Sequence, residues 1–444
     1  MEVYGSWFWW TLTAVAAVQT FLTALQTWEN RRFSFSRLRR QEPPPESDRR
    51  ARICIPCKGV DVGLYENLRP LFGQDHTNYE LVFVVESLSD AAAEVIERLM
   101  LEHPHVDAQM LVAGRATESG QKVHNLRVAT AEIGPDVEIL AFMDSDARPS
   151  ASWLRRLVAR LGRDQVGATT AYRWFIPARM TPSNLILYSI NSMIAGMFGP
   201  GGHHLVWGGS WAISRNVFDS IGLHEAWYGT ISDDLVASRV LRRNRLRIEF
   251  EPRCLVASPL EYSTFMMAEF IRRQYVMARF CVPRLWLMAL AVGILANVAF
   301  WGCVAIVAMP HRFTTATVVG AGCAVLFLYG MQALRASYRQ SVGREALPEQ
   351  TAKLTVARWF DVLAGPLVSL VNLIGLITST CGSTVTWRGI RYRVFAGGQS
   401  RTLNREVRAA EIWPPAPHLP AARPLSRSTS STEIRLRPPH ARRP

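Results

Sequence analysis

A parallel α/β sheet domain set between apolar helices of membrane length is the fold class this sequence predicts. Three observations point to it. Between residues 52 and 280, short β-rich runs alternate with segments of helical period, which is the pattern of strands joined by crossover helices. On both sides of that stretch lie uncharged runs of 22 to 26 residues, long enough at about 1.5 Å per residue to cross a ~30 Å hydrocarbon core. The composition accommodates both parts, with 49% apolar and 19% charged residues over 444 positions. One domain of ~150 residues cannot account for such a length.

The first uncharged run covers residues 3–28, between Glu2 and Glu29. Its start is acidic, and Trp7, Trp9, Trp10 and Trp28 bracket it like an aromatic belt, so it reads as a retained anchor rather than a cleaved signal peptide. Arg31, Arg32, Arg37, Arg39 and Arg40 follow directly, which places the next segment on the cytoplasmic side and the N-terminus outside. Residues 53–57, 80–86, 107–113 and 138–144 read as four strands, with helices over 64–72, 90–102 and 122–133 between them. Residues 184–198 are apolar enough for a core helix or for one lying in the membrane interface. Three late uncharged runs, 285–310, 313–334 and 362–387, bring the simplest count to four spans. That count leaves residues 388 onward outside, against the basic string RGIRYR and a stretch 401–444 with nine Arg and three Glu. Either the tail is exported regardless of charge, or the run broken by Gly365-Pro366 is re-entrant or interfacial.

The expected organisation is an anchor (1–30), a basic linker (31–51), a catalytic domain (52–283), a membrane region of about three segments (284–395) and a Pro-rich, Arg-rich disordered tail (396–444). Seven scattered cysteines exclude a disulfide scaffold, and Cys54-x-x-Cys57 reads as small buried strand residues. The net charge of +14 sits in membrane flanks and tail, so nucleic acid is not an expected partner.

In a sheet of this kind a ligand binds beyond the carboxyl ends of the strands. Those ends carry acids and a lysine rather than a Gly-rich turn: Lys58 to Asp61, Glu86 to Asp90, and Asp144-Ser145-Asp146. Asp144 and Asp146 lie two apart on extended backbone and point the same way, as two hard oxygen ligands suited to Mg²⁺ or Mn²⁺. A solvated turn whose Asp caps the next helix is the bland alternative. Asp233 and Asp234 open a further helix; capping explains one, and the other is free to act as a general base.

The strings PCKGVD (56–61), the Asp90 group, QKVHNL (121–126), DSD (144–146), GGSWAISRNVFDSIGL (208–223), ISDD (231–234) and FIRRQYVMARF (270–280) follow in an order that resembles family-2-like inverting glycosyltransferases. Membrane-bound ceramide glucosyltransferases (family 21) and their bacterial relatives are the nearest likeness, over roughly residues 50–285. The resemblance implies a GT-A fold that takes a UDP-sugar, UDP-glucose first, and passes the sugar to a lipid hydroxyl at the membrane face. It implies that Asp90, with Glu86 beside it, reads the nucleoside. Asp146, helped by Asp144, would hold the metal, and Asp234, with Asp233, would supply the base. Lys58, Lys122 and Asn125 match positions near the nucleotide. The family's closing (Q/R)xxRW motif is altered: Arg272-Arg273-Gln274 begins it, and the nearest Arg-aromatic pair is Arg279-Phe280, so Arg273, Gln274 and Arg279 are its candidates. The implied location is a multi-pass membrane, a bacterial inner membrane first, with the catalytic domain facing the cytoplasm. A processive polysaccharide synthase should carry an intact motif and more spans. A non-catalytic nucleotide-sugar binder has no need of Asp90, Asp146 and Asp234 together.

Overall fold

The computed structural model describes residues 2–40, 44, 47–163 and 165–405. The chain divides into two compact units, one from Glu42–Arg173, Gly202–Pro259 and Ser383–Pro444, the other from Met1–Gln41, Trp174–Gly201 and Leu260–Gly382.

In the first unit, β1 (Arg50–Pro56), β2 (Tyr79–Val85), β3 (Ala108–Val112), β4 (Val137–Met143), β5 (Val166–Thr170), β7 (Ser210–Ser214) and β8 (Arg247–Phe250) form one sheet of order β3-β2-β1-β4-β7-β5-β8. Two short strands, β6 (Arg173–Pro177) and β9 (Val256–Leu260), lie outside it. Six residues in a row are buried in both β1 and β2, because helices cover the two faces of a parallel sheet. The crossovers are α2 (Leu64–Leu68), α3 (Ala91–Glu102), α4 (Gln121–Ala129) and α5 (Trp153–Val158). Past α6 (Pro182–Ala195), a member of the helical unit, come α7 (Arg215–Ser220), α8 (Leu223–Ala226) and α9 (Asp233–Arg243).

The wholly parallel sheet expected from the alternation is instead mixed, since β7 runs antiparallel to both β4 and β5. Ser210 enters opposite Met143, at the carboxyl end of β4, so the strand has only the return direction open to it.

A second sheet in this unit corrects the expectation for the C-terminal region. β10 (Thr384–Trp387), β11 (Ile390–Val394) and β12 (Ser400–Arg405) pair antiparallel, so residues 384–387 do not end a membrane span and 400–405 do not begin a disordered tail. Val385, Ile390, Tyr392 and Val394 are buried, one face of a period-2 pattern. Arg388 and Gly389 form the two-residue turn, with φ of 51° and 70°, as the twist of a tight hairpin requires. The rest of the expected tail, from 406 on, lies outside the described residues.

The helical unit holds α1 (Glu2–Leu38), α6, α10 (Thr264–Cys281), α11 (Pro283–Ala308), α12 (Thr315–Ala346), α13 (Thr355–Leu363) and α14 (Gly365–Thr378). Among the described residues, α11 and α12 are long and apolar enough to cross a membrane. The third late run is not one helix: α13 and α14 meet at 81°, at Gly365-Pro366, where proline lacks the N–H that would continue the first helix. Most of α6 is buried, including Tyr188, Ser189 and Ser192, which makes it a core helix of its unit. Beside it, Arg339 donates to both carboxylate oxygens of Asp361, at 2.9 and 2.5 Å. Gln340 and Ser192 donate to the same carboxylate, so a charge that is 1% exposed is fully partnered.

Candidate active site

The carboxyl ends of the central strands gather the acids that the sequence singled out. Lys122, on α4, donates to Asp144 Oδ1 at 2.7 Å and to Asp233 Oδ1 at 3.1 Å, joining the end of β4 to the start of α9. Gly208 and Gly209 let the chain run past these groups. A Cβ on Gly208 would stand 2.6 Å from Asp233 Oδ2 and 2.7 Å from Lys122 Nζ, and one on Gly209 would stand 2.8 Å from Asp144 Oδ2.

Burial opposes the charge on Lys122, but Asp144, Asp233 and Asp234 outweigh it and raise the ammonium further. The same cluster has more carboxylates than cations. Burial therefore pushes Asp233 up to about 7 even against Lys122, and its Oδ2 is buried with no hydrogen-bond partner. Asp234 is different. Ser232 Oγ (2.5 Å) and the Leu235 N–H (2.7 Å) donate to its Oδ1, the Gly208 N–H (3.1 Å) donates to its Oδ2, and the carboxylate stays partly open to solvent.

Asp146 meets Arg173, whose Nη1 is 3.3 Å from Oδ2 and whose guanidinium lies over Trp207, 5.5 Å from the ring centroid. Its Oδ1 is buried without a hydrogen-bond partner. Burial lifts this carboxyl to about 6; Arg173 opposes the rise, and Asp144 and Asp61 add to it. Among the described residues no three His, Cys, Asp or Glu side chains form a closed metal cage. Asp144 and Asp146 are hard oxygen donors of the kind that Mg²⁺ or Mn²⁺ takes one or two of, and the Asp146 oxygen left without a hydrogen bond is compatible with that chemistry.

Asp90 caps α3 by accepting from the Ala92 N–H at 3.0 Å and also accepts from the Gly59 N–H at 2.8 Å, tying the end of β1 to α3. Gly59 has φ of 67° there, a conformation that favours glycine. Lys58 Nζ is 2.8 Å from Glu86 Oε2. Burial would raise Glu86, but Lys58 and Arg405 outweigh it and hold the carboxyl below its ordinary range. Asn125 is placed differently from the expectation: its amide donates to Val84 O and accepts from Gln121 Nε2, so it pins α4 to β2 inside the fold.

Arg273, Gln274 and Arg279 belong to α10 in the helical unit. Arg279 donates to the carbonyls of Ser379, Thr380 and Gly382, Arg272 donates to Cys381 O at 3.1 Å, and Arg273 lies over the Phe270 ring. Sequence reasoning passed over three groups of the α/β site, Arg173, Arg388 and Arg405, and gave Asp61 no role beyond its place after the first strand. Arg388 Nη2 is 2.5 Å from Asp61 Oδ1, and Arg405 Nη1 is 2.8 Å from Glu86 Oε2. The alternation TVTW-RG-IRYRV around Arg388-Gly389 is a hairpin signal and could have revealed this element.

Acids and a lysine at the strand ends, with a Gly-Gly turn drawn against them, suit a site that handles a charged ligand, and comparison with known proteins gives the family. The profile of glycosyl transferase family 21 matches residues 11–400, and the chain belongs to that family. It is 31% identical over 97 residues to ceramide glucosyltransferase 1 of Caenorhabditis elegans, covering 22% of this chain and 21% of that one. It is 28% identical over 159 residues to the ceramide glucosyltransferase of Komagataella phaffii, covering 35% and 29%. The matched segments are thus under a third of those relatives. Among solved structures, a mannosyltransferase from Pyrobaculum calidifontis, in complex with GDP-Man and Mn²⁺, covers 82% of this chain and 98% of its own at 16% identity and a TM-score of 0.42.

Proposed function

We propose that this protein transfers a hexose from a UDP-sugar, UDP-glucose first, to a hydroxyl of a membrane lipid, with inversion and with a divalent cation. The fold in this reading is of the GT-A type. The observation that carries it is the convergence of Asp144, Asp233 and Asp234 on Lys122, next to an Asp146 oxygen with no hydrogen-bond partner. Asp146 and Asp144 are the residues that would hold the ion. Such an ion, when bound, offsets the negative charge that builds on the departing diphosphate.

The remaining roles follow from geometry before acidity. Asp234 is open enough to meet an incoming hydroxyl, and its three donors hold the carboxylate in one orientation; it is the base. Asp233, 2% exposed, cannot reach an acceptor, and it keeps Lys122 in place. Lys58, with Glu86, and Asp90, through the Gly59 turn, shape the nucleoside end of the cleft.

The membrane arrangement has a parity argument. Residues 383–405 share one unit with β1 to β4, through Arg388 to Asp61 and Arg405 to Glu86, so both stretches face one aqueous side. The chain between them must cross an even number of times, which α11 and α12 satisfy, leaving the bent α13 and α14 pair as re-entrant. We take α1 as a third crossing on the strength of its uncharged run, residues 3–28, and the arginines that follow it. Its threonines suit lipid, because the hydroxyls of Thr11, Thr13, Thr23 and Thr27 donate back to carbonyls four residues earlier.

The test is incubation of membranes bearing the full chain with a panel of UDP-sugars, followed by mass spectrometry and anomeric NMR of the extracted lipids. A new β-linked glycolipid from an α-linked donor is expected. Asp234→Asn should lower its formation at least 10³-fold with UDP binding kept, and undiminished transfer in that variant would sink the assignment.

A further inference from the structure

Departure of a nucleoside diphosphate builds negative charge that nearby cations must meet. Within the α/β unit the obvious cations are committed elsewhere: Lys122 to Asp144 and Asp233, and Lys58 to Glu86. In the altered motif, Arg272 and Arg279 bind the carbonyls of Ser379, Thr380, Cys381 and Gly382, and Arg273 lies over the Phe270 ring.

At the tip of the hairpin, Arg388 has φ of 51°, a conformation sparsely used by residues other than Gly, Asn and Asp. Its guanidinium is anchored by Asp61, which is buried and accepts from Ser145 Oγ at 2.9 Å through its second oxygen. Ser145 is the middle residue of Asp144-Ser145-Asp146, so the guanidinium is tied to the very loop that presents both carboxylates. Its charge acts on Asp146 and on the Cys57 thiol at the end of β1. The Arg388 side chain remains 23% exposed.

We propose that Arg388 binds the diphosphate of the sugar nucleotide, as the cation that the C-terminal sheet returns to the cleft after the membrane helices. This rests on the sugar-nucleotide reading above. Asp61 is its positioning partner, orienting a planar fork that can meet two phosphate oxygens at once.

Calorimetry on the full-length protein in nanodiscs with Mn²⁺ tests it, using UDP, GDP and the parent nucleosides as probes. Arg388→Gln should weaken nucleoside diphosphate binding by ~10- to 100-fold, the loss expected for one charge-assisted contact, and leave the nucleoside within twofold. Arg388→Lys, which keeps the charge and loses the fork, should fall between the two. A diphosphate affinity unchanged within twofold in Arg388→Gln overturns the assignment. So does an equal loss of nucleoside and diphosphate in both variants, which would mark a structural role. A wild-type protein that binds neither UDP nor GDP overturns the donor reading itself, and this inference with it.

Discussion

Asp233 and Asp234 are neighbours in sequence with opposite fates. Asp234 has its oxygens hydrogen-bonded and stays reachable, whereas Asp233 is enclosed with one oxygen unsatisfied. The difference has a pH consequence. Burial lifts Asp233 from its ordinary 3.8 to about 7 in the fold, so between those values the folded chain holds a proton that the unfolded chain has released. Stability contributed at this position therefore falls as pH rises through that window. Asp233→Asn removes the titration, and its melting temperature relative to wild type should climb from pH 5 to pH 8; a constant offset would contradict the assignment. The acids themselves were legible in the sequence, because strand-end position follows from period-2 and period-3.6 patterning. Which of two adjacent aspartates would be sealed in was not legible, since burial depends on Gly208, Gly209 and Lys122 arriving from elsewhere.

Elements show the same division. The four parallel strands and their crossovers are recoverable from local pattern, but β7 has its direction set by where the chain re-enters the sheet. The altered motif on α10 is another case: Arg279 and Arg272 hold a turn a hundred residues later, which no motif spacing encodes. Between α12 and α13, the Arg339 and Asp361 pair makes a separate prediction. Asp361→Ala would leave the guanidinium buried and unpaired, at a cost of ~3–5 kcal/mol. The variant should melt well below wild type in detergent, and Arg339→Leu combined with Asp361→Leu should recover part of the loss; equal melting of wild type and Asp361→Ala would show the pair to be dispensable.

For the whole molecule, where the sequence alone counts four spans, the described residues hold two helices of membrane length, α11 and α12, and one bent pair, α13 and α14; three crossings with a re-entrant pair is the arrangement proposed above. In that proposed arrangement α1 and α12 enter from the far side, so a single cysteine at Thr314 should label only from outside, in a background lacking Cys323 and Cys381. A cysteine at Arg401 should label only from the cytoplasm. Labelling of both from one face would remove the parity argument. By itself the sequence determined β1 to β4 with their crossover helices, the membrane length of α11 and α12, and which acids stood at strand ends, because each depends on backbone period and composition within a few residues. Only the tertiary structure decided which charges meet. Arg388 finds Asp61 across 327 positions, and Lys122 takes two carboxylates at once, because ion pairs form where packing brings the partners together and excludes water.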